Sequence, residues 1–346
     1  MLFLHEFNCV SPQPTFPADS LEQLNHPVGN KLTAVEPSYE KIPPGILRRM
    51  SKPVRLGIGA SLPLLKEGVK LNGIVIGTAN AGMEDCFYFL KQLIEYNEGL
   101  LTPGNFVQST PNALAAQVAM LHRNNGYNTT HVHLGLAFEN ALTDALLLTE
   151  EHPEDTYLVG AVDDISTYNY NINLSDGWYK DEPPSMDNFY TTDTKGSIPG
   201  EGSAMFLVSG LAQSALAALK GLETLHSADE LMVQERTREF LFNSLPAGEN
   251  IDLLISGENG DNRLAPYYLS CETCISPDAG IVRYKHMSGE YPTASAMALW
   301  LACHFLKSNP IPGHMVKRAG TSRLKNILIY NCFKKTQHSL MLVSGL

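Results

Sequence analysis

The feature that most limits the fold of this 346-residue chain is an alternation of short apolar strands with helical segments. The run 71–76 (LNGIVI) is β-branched, and it leads through Gly77 into small residues, as a buried strand entering a turn does. Apolar residues then recur at helical spacing over 83–98. A strand-to-helix junction follows at 131–135, and another buried strand at 156–162. This alternation predicts an α/β protein with a mainly parallel sheet.

The rest of the chain continues the pattern less regularly. We expect helices over 111–122, 211–225 (Ala-rich), 228–245 and 294–306, a surface excursion without periodicity over 165–200, strands over 200–208 and 251–255, and a hairpin at a sheet edge from 326–330 and 339–343. The segment 294–306 is apolar on every face, which is typical of a helix inside a large protein. We therefore expect two similar α/β halves, 1–210 and 211–346, that form one compact unit.

Composition excludes several classes of function. The net charge of −11 leaves no basic stripe for nucleic acid and no polybasic patch for an anionic membrane. No apolar run approaches the roughly 20 residues of a membrane span, and residues 1–10 lack the basic region of a secretion signal. Six scattered cysteines then favour reduced thiols in a cytoplasmic protein. Cys271 and Cys274 have no second ligand pair nearby, so we expect no metal, and we expect no cofactor.

Four segments carry a resemblance to a known family. They are 73–82 (GIVIGTANAG), 105–112 (NFVQSTPN), 156–163 (TYLVGAVD) and 196–202 (GSIPGEG). Together and in this order they resemble the β-ketoacyl synthase family of the thiolase-like superfamily, from about residue 71 to the C-terminus. The resemblance implies two similar α/β halves layered as αβαβα.

The last of these segments contains the turn Gly200-Glu201-Gly202. We expect the glycines to adopt a positive φ at a tight turn between layers, because glycine does so without a steric penalty. We expect the Glu201 carboxylate to accept backbone hydrogen bonds, which makes it a structural residue rather than an acid or base.

The resemblance also locates a nucleophile position. Active relatives carry a cysteine at the N-terminus of the long buried helix, where free N–H groups and the helix dipole stabilise a thiolate. Anchoring on Asn140 places Leu134 there, whereas anchoring on the preceding strand places His133 there. Neither residue can form an acyl thioester as cysteine does.

Both catalytic histidines of the family are also replaced. Gly257 stands at the first position, after a strand that begins at Asp252, and Glu290 stands at the second, five residues after the family's lysine, Lys285. An imidazole there would donate to a developing enolate oxygen, which a carboxylate would repel. We expect Lys285 and Glu290 to form an ion pair. The family's glycine-rich loop corresponds to 331–337, which has no glycine.

Loss of all three residues with retention of the glycine motifs resembles the chain length factors, ketosynthase-like subunits that lack the nucleophile. The resemblance implies a heterodimer with an active ketosynthase, or a homodimer, acting with an acyl carrier protein in fatty acid, polyketide or aryl polyene or flexirubin-type biosynthesis. Candidates for the substrate tunnel or the interface are Phe106, His133, Gly135, Phe138 and Glu139, and for Phe106 and Phe138 core packing is the alternative.

Two other functions stay open from the sequence. One is an acyltransferase or decarboxylase of the same fold that needs no covalent thioester and uses Lys285, Glu290 or Glu139. The other is a homodimeric scaffold without a substrate. Whether the chain is an enzyme is therefore left open by the sequence.

Overall fold

A computed structural model describes residues 1–16, 21–182, 185–307, 310–320 and 323–346. Within them the chain forms a mixed eleven-stranded sheet, with four parallel and six antiparallel strand pairs, so the predicted mainly parallel sheet is wrong. Its strands are β1 (Leu2–Val10), β2 (Gly73–Gly77), β3 (Tyr127–His131), β4 (Tyr157–Asp163), β5 (Gly202–Ser209), β6 (Ala217–His226), β7 (Leu253–Ser256), β8 (Gly280–Arg283), β9 (Val316–Arg318), β10 (Asn326–Phe333) and β11 (Gln337–Gly345).

Helices connect and cover these strands. They are α1 (Pro44–Leu47), α2 (Lys52–Ser61), α3 (Met83–Glu95), α4 (Pro103–Gln108), α5 (Ala113–His122), α6 (Ala137–Glu151), α7 (Thr167–Ser175), α8 (Glu230–Ser244), α9 (Ala265–Glu272), α10 (Lys285–Ser288) and α11 (Ser295–Leu306). Short 3₁₀ turns occur at Leu134–Leu136, Met186–Asn188 and Gly313–Met315.

The strand order repeats between the two parts of the chain. The first part runs β3-β2-β4-β5-β1, with β5 antiparallel to both of its neighbours. The second runs β8-β7-β10-β11-β6, which is the same order, with β11 antiparallel to both neighbours and β9 added beyond β8. The two parts join where β1 pairs with the start of β6. These are the two similar α/β halves that the sequence predicts; their division at residues 210 and 211 remains a proposal.

The halves stack into five layers. α2 and α5 pack on the outer face of the first half, and α8 and α9 on that of the second. α6 and α11 lie between the halves and contact strands of both. This position explains why α11 is apolar all round, since ten of its residues are buried. The αβαβα layering is confirmed.

The predicted Ala-rich helix over 211–225 is wrong. Most of this segment is strand β6, which pairs with β11 along its length and with β1 at its start. Ala217, Ala218 and Leu219 are buried there, where small side chains fit between the sheet and the central helices. Tertiary pairing therefore overrides the intrinsic helix preference of alanine.

Two further predictions need correction. The hairpin β10–β11 exists, but it lies in the middle of the sheet, between β6 and β7, and not at an edge. The excursion 165–200 contains α7, which starts with a capping box between Ser166 and Asn169. Residues 183 and 184 of that excursion lie outside the described residues. The sequence does not predict strand β1, although this strand pairs with both halves.

The cysteines are dispersed through this fold. All six are free thiols, and four of them are buried: Cys9, Cys271, Cys303 and Cys332. Within the described ranges, no helix is both long and apolar enough to cross a membrane.

Candidate active-site region

A strained turn leads into α6 at the position that matches the family nucleophile. β3 ends at His131 and α6 begins at Ala137, and between them Leu134 has a φ of +48°. A non-glycine residue adopts this left-handed conformation only at a cost in free energy. The Leu134 side chain is 54% exposed. The chain thus keeps a sharp elbow before a buried helix, but the elbow presents a side chain without a nucleophilic atom.

Neighbouring residues fix the elbow rather than activate it. The backbone N–H of Gly135 donates to Oε1 of Gln337 at 2.9 Å, and a Cβ at Gly135 would lie 2.3 Å from Cβ of Phe333. The Asn140 amide lies 2.9 Å from Nδ1 of His133, which ties this imidazole to α6. Sequence reasoning missed Gln337, although it belongs to the 331–337 segment that departs from the family pattern.

The position that the sequence resemblance matches to the first histidine faces Asn331 of a neighbouring strand. Gly257 follows β7, and a Cβ there would lie 2.4 Å from Oδ1 of Asn331 on β10. Asn331 is buried, and its Oδ1 accepts no hydrogen bond from the described residues. A side chain at position 257 would therefore displace the Asn331 side chain, and its Cβ would lie 3.1 Å from the backbone of β10. The only sequence signal for Asn331 is its place in the altered loop.

At the position that the sequence resemblance matches to the second histidine, the structure has a closed ion pair. Oε1 of Glu290 lies 2.9 Å from Nζ of Lys285, and the Asn259 amide donates to Oε2 at 2.7 Å. The Lys285 side chain is fully buried and Glu290 is 7% exposed. Both charges are therefore neutralised inside the protein, and neither side chain is free to act on a substrate.

The cavity beside Glu290 is too small for an acyl chain. A cavity of about 20 Å³ is lined by Asn259, Glu290, Phe333 and Lys334, together with Trp178. A volume of this size holds about one water molecule. The space beside Glu290 is therefore filled by the protein's own side chains.

Lys334 closes this cavity from the β10–β11 turn. Its Nζ donates to Oδ1 of Asn173 at 2.6 Å and lies 5.5 Å from the centroid of the Trp178 ring. Burial lowers the pKa of Lys334. Lys334 and Lys335 have φ values of +49° and +68°. The turn keeps a backbone conformation that glycine favours, although the glycines of the family loop are absent.

Glu139 lies deeper, in the central layer. It is fully buried on α6, and neither carboxylate oxygen has a hydrogen-bond partner among the described residues. Burial raises the pKa of Glu139, an effect that the nearby Ser295 and Ser339 hydroxyls and the charge of Lys285 partly offset. The neutral form of Glu139 is thereby favoured more than it is in an exposed glutamate, and the side chain does not face solvent.

The Gly200-Glu201-Gly202 turn joins the two halves by close backbone approach. A Cβ at Gly200 would lie 1.9 Å from the carbonyl oxygen of Ser288, next to Gly289. The expected positive φ is wrong for Gly200 and Gly202, because the glycines with positive φ are at other positions. Glu201 is buried and accepts from the backbone N–H groups of Ala34 and Ile165, both at 2.9 Å.

The two phenylalanines differ in environment. Phe106 on α4 is 58% exposed and contacts Phe89 of α3, with ring centroids 5.2 Å apart, so core packing is wrong for it. Phe138 on α6 is fully buried and lies 6.0 Å from Phe206, centroid to centroid. Phe138 is therefore a core residue and does not reach an interface.

Comparison with known proteins identifies the fold of the chain. No family model matches the chain, and no curated protein matches it. Among solved structures, it is similar to the ketosynthase ApeO in complex with its chain length factor ApeC from Xenorhabdus doucetiae, with a TM-score of 0.79 and 13% identity over 100% of this chain and 98% of that one. The ishigamide ketosynthase/chain length factor gives a TM-score of 0.78 and 14% identity, over 100% and 99% of the two chains.

A third similar structure is the AntDE:AntF complex, a type II polyketide synthase acyl carrier protein with its ketosynthase bound to the hexaketide. It gives a TM-score of 0.73 and 16% identity, over 100% of this chain and 99% of that one. The match thus includes residues 1–70, beyond the reach of the sequence resemblance. At these identities the likeness establishes the fold: the chain adopts, over its whole length, the thiolase-like fold of ketosynthases and their chain length factors.

Proposed function

We propose that this chain is a non-catalytic ketosynthase-like subunit of the chain length factor type, which pairs with an active ketosynthase. One observation carries the proposal. The three positions that match the family's catalytic residues hold Leu134, Gly257 and Glu290, and the space beside the last is about 20 Å³. The chain therefore retains the fold of a ketosynthase but lacks, at these positions, the cavity and the reactive groups that condensation requires.

The chemistry of condensation supports this view. The reaction needs a thiolate to carry the acyl group and hydrogen-bond donors for the enolate oxygen. Leu134 supplies no nucleophile, and the carboxylate of Glu290 is already bound to Lys285 and Asn259. The buried Lys285 is equally unsuited to the alternative of an acyltransferase or decarboxylase, because its Nζ is engaged 2.9 Å from Glu290.

An open sheet edge supports pairing. β3 is the last strand of the first half, whereas β8, its counterpart in the second half, is covered by β9. An uncovered edge strand offers unpaired N–H and C=O groups to another chain. The difference between the halves singles out β3 as the edge available to a partner.

Exposed apolar side chains are grouped on two helices of the same half. We define the apolar face by exposed residues of α3 and α4: Phe87, Tyr88, Leu90, Ile94 and Phe106. α3 buries none of its residues fully, and the Phe89–Phe106 contact joins it to α4. Grouped apolar exposure of this kind is typical of a surface that binds another protein.

Similar solved structures suggest the kind of partner. They include ketosynthases in complex with a chain length factor and with an acyl carrier protein. We infer that the partner is an active ketosynthase, and that its carrier protein brings acyl chains of fatty acid, polyketide or aryl polyene type to the pair. Acyl transfer then takes place on the partner. A cytoplasmic location stays a prediction of the sequence.

Introducing a cysteine at position 134 tests whether the chain lacks catalytic activity. We expect no decarboxylation of malonyl carrier protein by the purified chain, and none by Leu134→Cys, because the imidazole donors and the acyl cavity are still missing. The new thiol of that variant, at an exposed position, should nevertheless react with iodoacetamide, and peptide mass spectrometry locates the label. Turnover by the unmodified chain that is lost in Lys285→Ala would instead establish the altered-enzyme alternative.

A further inference from the structure

A groove on the outer side of the first half is separate from the closed region. It lies between α1, α3, α4 and α5 and has a volume of about 820 Å³. Ligand sites in proteins usually measure about 300–1,000 Å³. Apolar side chains from three of these helices or their ends form much of its wall: Ile46, Met50, Val107, Met120 and Leu121.

Two adjacent arginines add positive charge to this groove. Arg48 and Arg49 both line it and both are exposed. Neither guanidinium has an ion-pair or hydrogen-bond partner in the part of the chain that the structure describes. In a chain with a net charge of −11, a pair of uncompensated arginines is notable. Guanidinium groups bind carboxylates and phosphates in a bidentate manner.

The walls of the groove are held in place by polar contacts. The Ser51 hydroxyl donates to Oε1 of Gln108 at 3.3 Å, which joins the α1–α2 junction to α4. Arg55 donates to the carbonyl oxygen of Met50 at 3.2 Å, while its ion pair with Glu36 fixes its own position. The groove is therefore formed before any ligand arrives, which lowers the entropic cost of binding.

One acidic group also lines the groove. Asp85 lies on α3, and burial together with the neighbouring Glu84 raises its pKa. Among the described residues, Asp85 is the one carboxyl group in the lining of this groove, against the two guanidinium groups of Arg48 and Arg49.

The geometry points to a binding site for an anionic amphiphile, an apolar chain that ends in a carboxylate, with Arg48 and Arg49 holding the head group and the apolar wall holding the chain. The head group pairs with cations that have no other partner among the described residues, and the chain covers the apolar side chains that line the groove. Both contributions favour one ligand class. The site does not depend on the pairing proposed above.

Other grooves lack this combination. The groove of about 490 Å³ beside Phe242 and Leu245 contains Glu249 and no basic side chain. The groove of about 340 Å³ beside Phe16 and Leu62 contains Lys41, but Glu40 stands next to it. The two arginines therefore distinguish the first groove from the others described.

Fluorescent fatty acid binding tests the site. The polyene fatty acid cis-parinaric acid is titrated into the full chain, and dodecanoate and dodecanol are then added as competitors. We expect saturable binding that dodecanoate displaces and dodecanol displaces at least about tenfold less well, because only the carboxylate forms charged hydrogen bonds. Arg48→Gln/Arg49→Gln should weaken binding by a similar factor, and Met120→Glu should weaken it by placing a charge in the wall.

The charge control is Arg236→Gln/Arg238→Gln, which removes two positive charges from the exposed face of α8, where Arg236, unlike the groove arginines, is paired with Glu223 and Glu239. This variant should bind like the unmodified chain. Equal displacement by dodecanoate and dodecanol would overturn the proposal, as would unchanged binding by the Arg48 and Arg49 double variant. An absence of saturable binding would also overturn it, and would leave the pairing with a ketosynthase unaffected.

Discussion

At the scale of single residues, two buried charges in the candidate site compensate each other. The carboxylate of Glu290, at the position that the resemblance matches to an imidazole, lies 2.9 Å from Nζ of Lys285. Asn259 satisfies the second oxygen. Lys285 and Glu290 depend on each other, because an unpaired buried charge costs free energy.

Removal of one partner should therefore be expensive. We expect Glu290→Ala to lower the free energy of unfolding by about 3–5 kcal/mol, since it leaves the fully buried Lys285 ammonium without a counter-charge. The double variant Lys285→Met/Glu290→Leu should recover most of this loss. Urea unfolding followed by circular dichroism measures both. Equal destabilisation in the single and double variants would show that the charges do not depend on each other.

A second residue-scale prediction concerns pH. Burial and the nearby Glu201 and Asp163 raise the pKa of Asp164 to about 7, and burial raises that of Asp163 to about 6. The folded state then holds protons that the unfolded chain releases near pH 4, so stability falls as pH rises from about 4 to 7, by about 1.4 kcal/mol per pH unit for each group that stays protonated.

The variant Asp164→Asn should reduce this slope and should be more stable than the unmodified chain at pH 8. Urea unfolding at pH 5 and pH 8 tests the sign. If the slope of stability against pH is the same in Asp164→Asn as in the unmodified chain, the assignment is contradicted. It is also contradicted if the stability of the unmodified chain relative to the variant increases from pH 5 to pH 8.

At this scale, the sequence predicts features that depend on residues close together in the chain, but it does not predict contacts between distant segments. The absence of a nucleophile at Leu134 and the pairing of Lys285 with Glu290 can be read from residue types five positions apart or fewer. Asn331 cannot, because its contact with Gly257 joins two segments that are 74 residues apart in the chain (331 − 257 = 74). The closure of the site is a property of the packed strands.

At the scale of elements, the seam between the halves depends on two glycines in contact. A Cβ at Gly200 would lie 1.9 Å from the carbonyl oxygen of Ser288, and one at Gly289 would lie 2.5 Å from Cα of Gly200. The turn that leads into β5 thus touches the turn after α10, where Glu290 N–H donates to the Ile198 carbonyl at 2.7 Å. The seam also positions the Lys285–Glu290 pair.

An added methyl group should open this seam. Gly200→Ala is expected to destabilise the protein by at least about 1–3 kcal/mol, because backbone and not a flexible side chain must move. Gly313→Ala is the control, since a Cβ there would meet nothing within 4 Å. Thermal unfolding compares the two. A loss in Gly200→Ala no larger than in Gly313→Ala would rule out the contact.

The elements that the sequence mispredicts share a cause. Local patterns predict a helix in place of β6 and an edge position for β10–β11, yet all three strands lie in the centre of the sheet, held by partners from other parts of the chain. Local propensity and loop length contain no information about these partners. A helix that packs through its own periodic pattern, such as α6, and one that is apolar throughout, such as α11, are predictable because the signal lies within the segment itself.

At the scale of the whole molecule, the two halves have similar topology, so the difference between their sheet edges is informative. Both halves have the same strand order, but only the second covers its edge, with β9, among the described strands. Glu258 and Glu272 bind Lys317 of β9 at 2.8 and 2.6 Å, which fastens that cover. The alternation of strands and helices predicts an α/β protein and the family resemblance implies its layers, whereas the unequal edges are seen only in the structure.

Capture of an active ketosynthase by this chain tests the central claim most directly. The chain is co-expressed with a ketosynthase from the same gene neighbourhood and the product is analysed by size-exclusion chromatography and mass spectrometry. We predict a stable one-to-one complex, because the apolar face and the β3 edge would be buried in it. Ile94→Glu/Phe106→Glu, which puts two charges on the apolar face, should abolish the complex, and Phe242→Glu, at an 87% exposed position on α8, should leave it intact. A chain that stays a homodimer or monomer beside the ketosynthase, or a complex that survives both charges on the apolar face, would contradict the account.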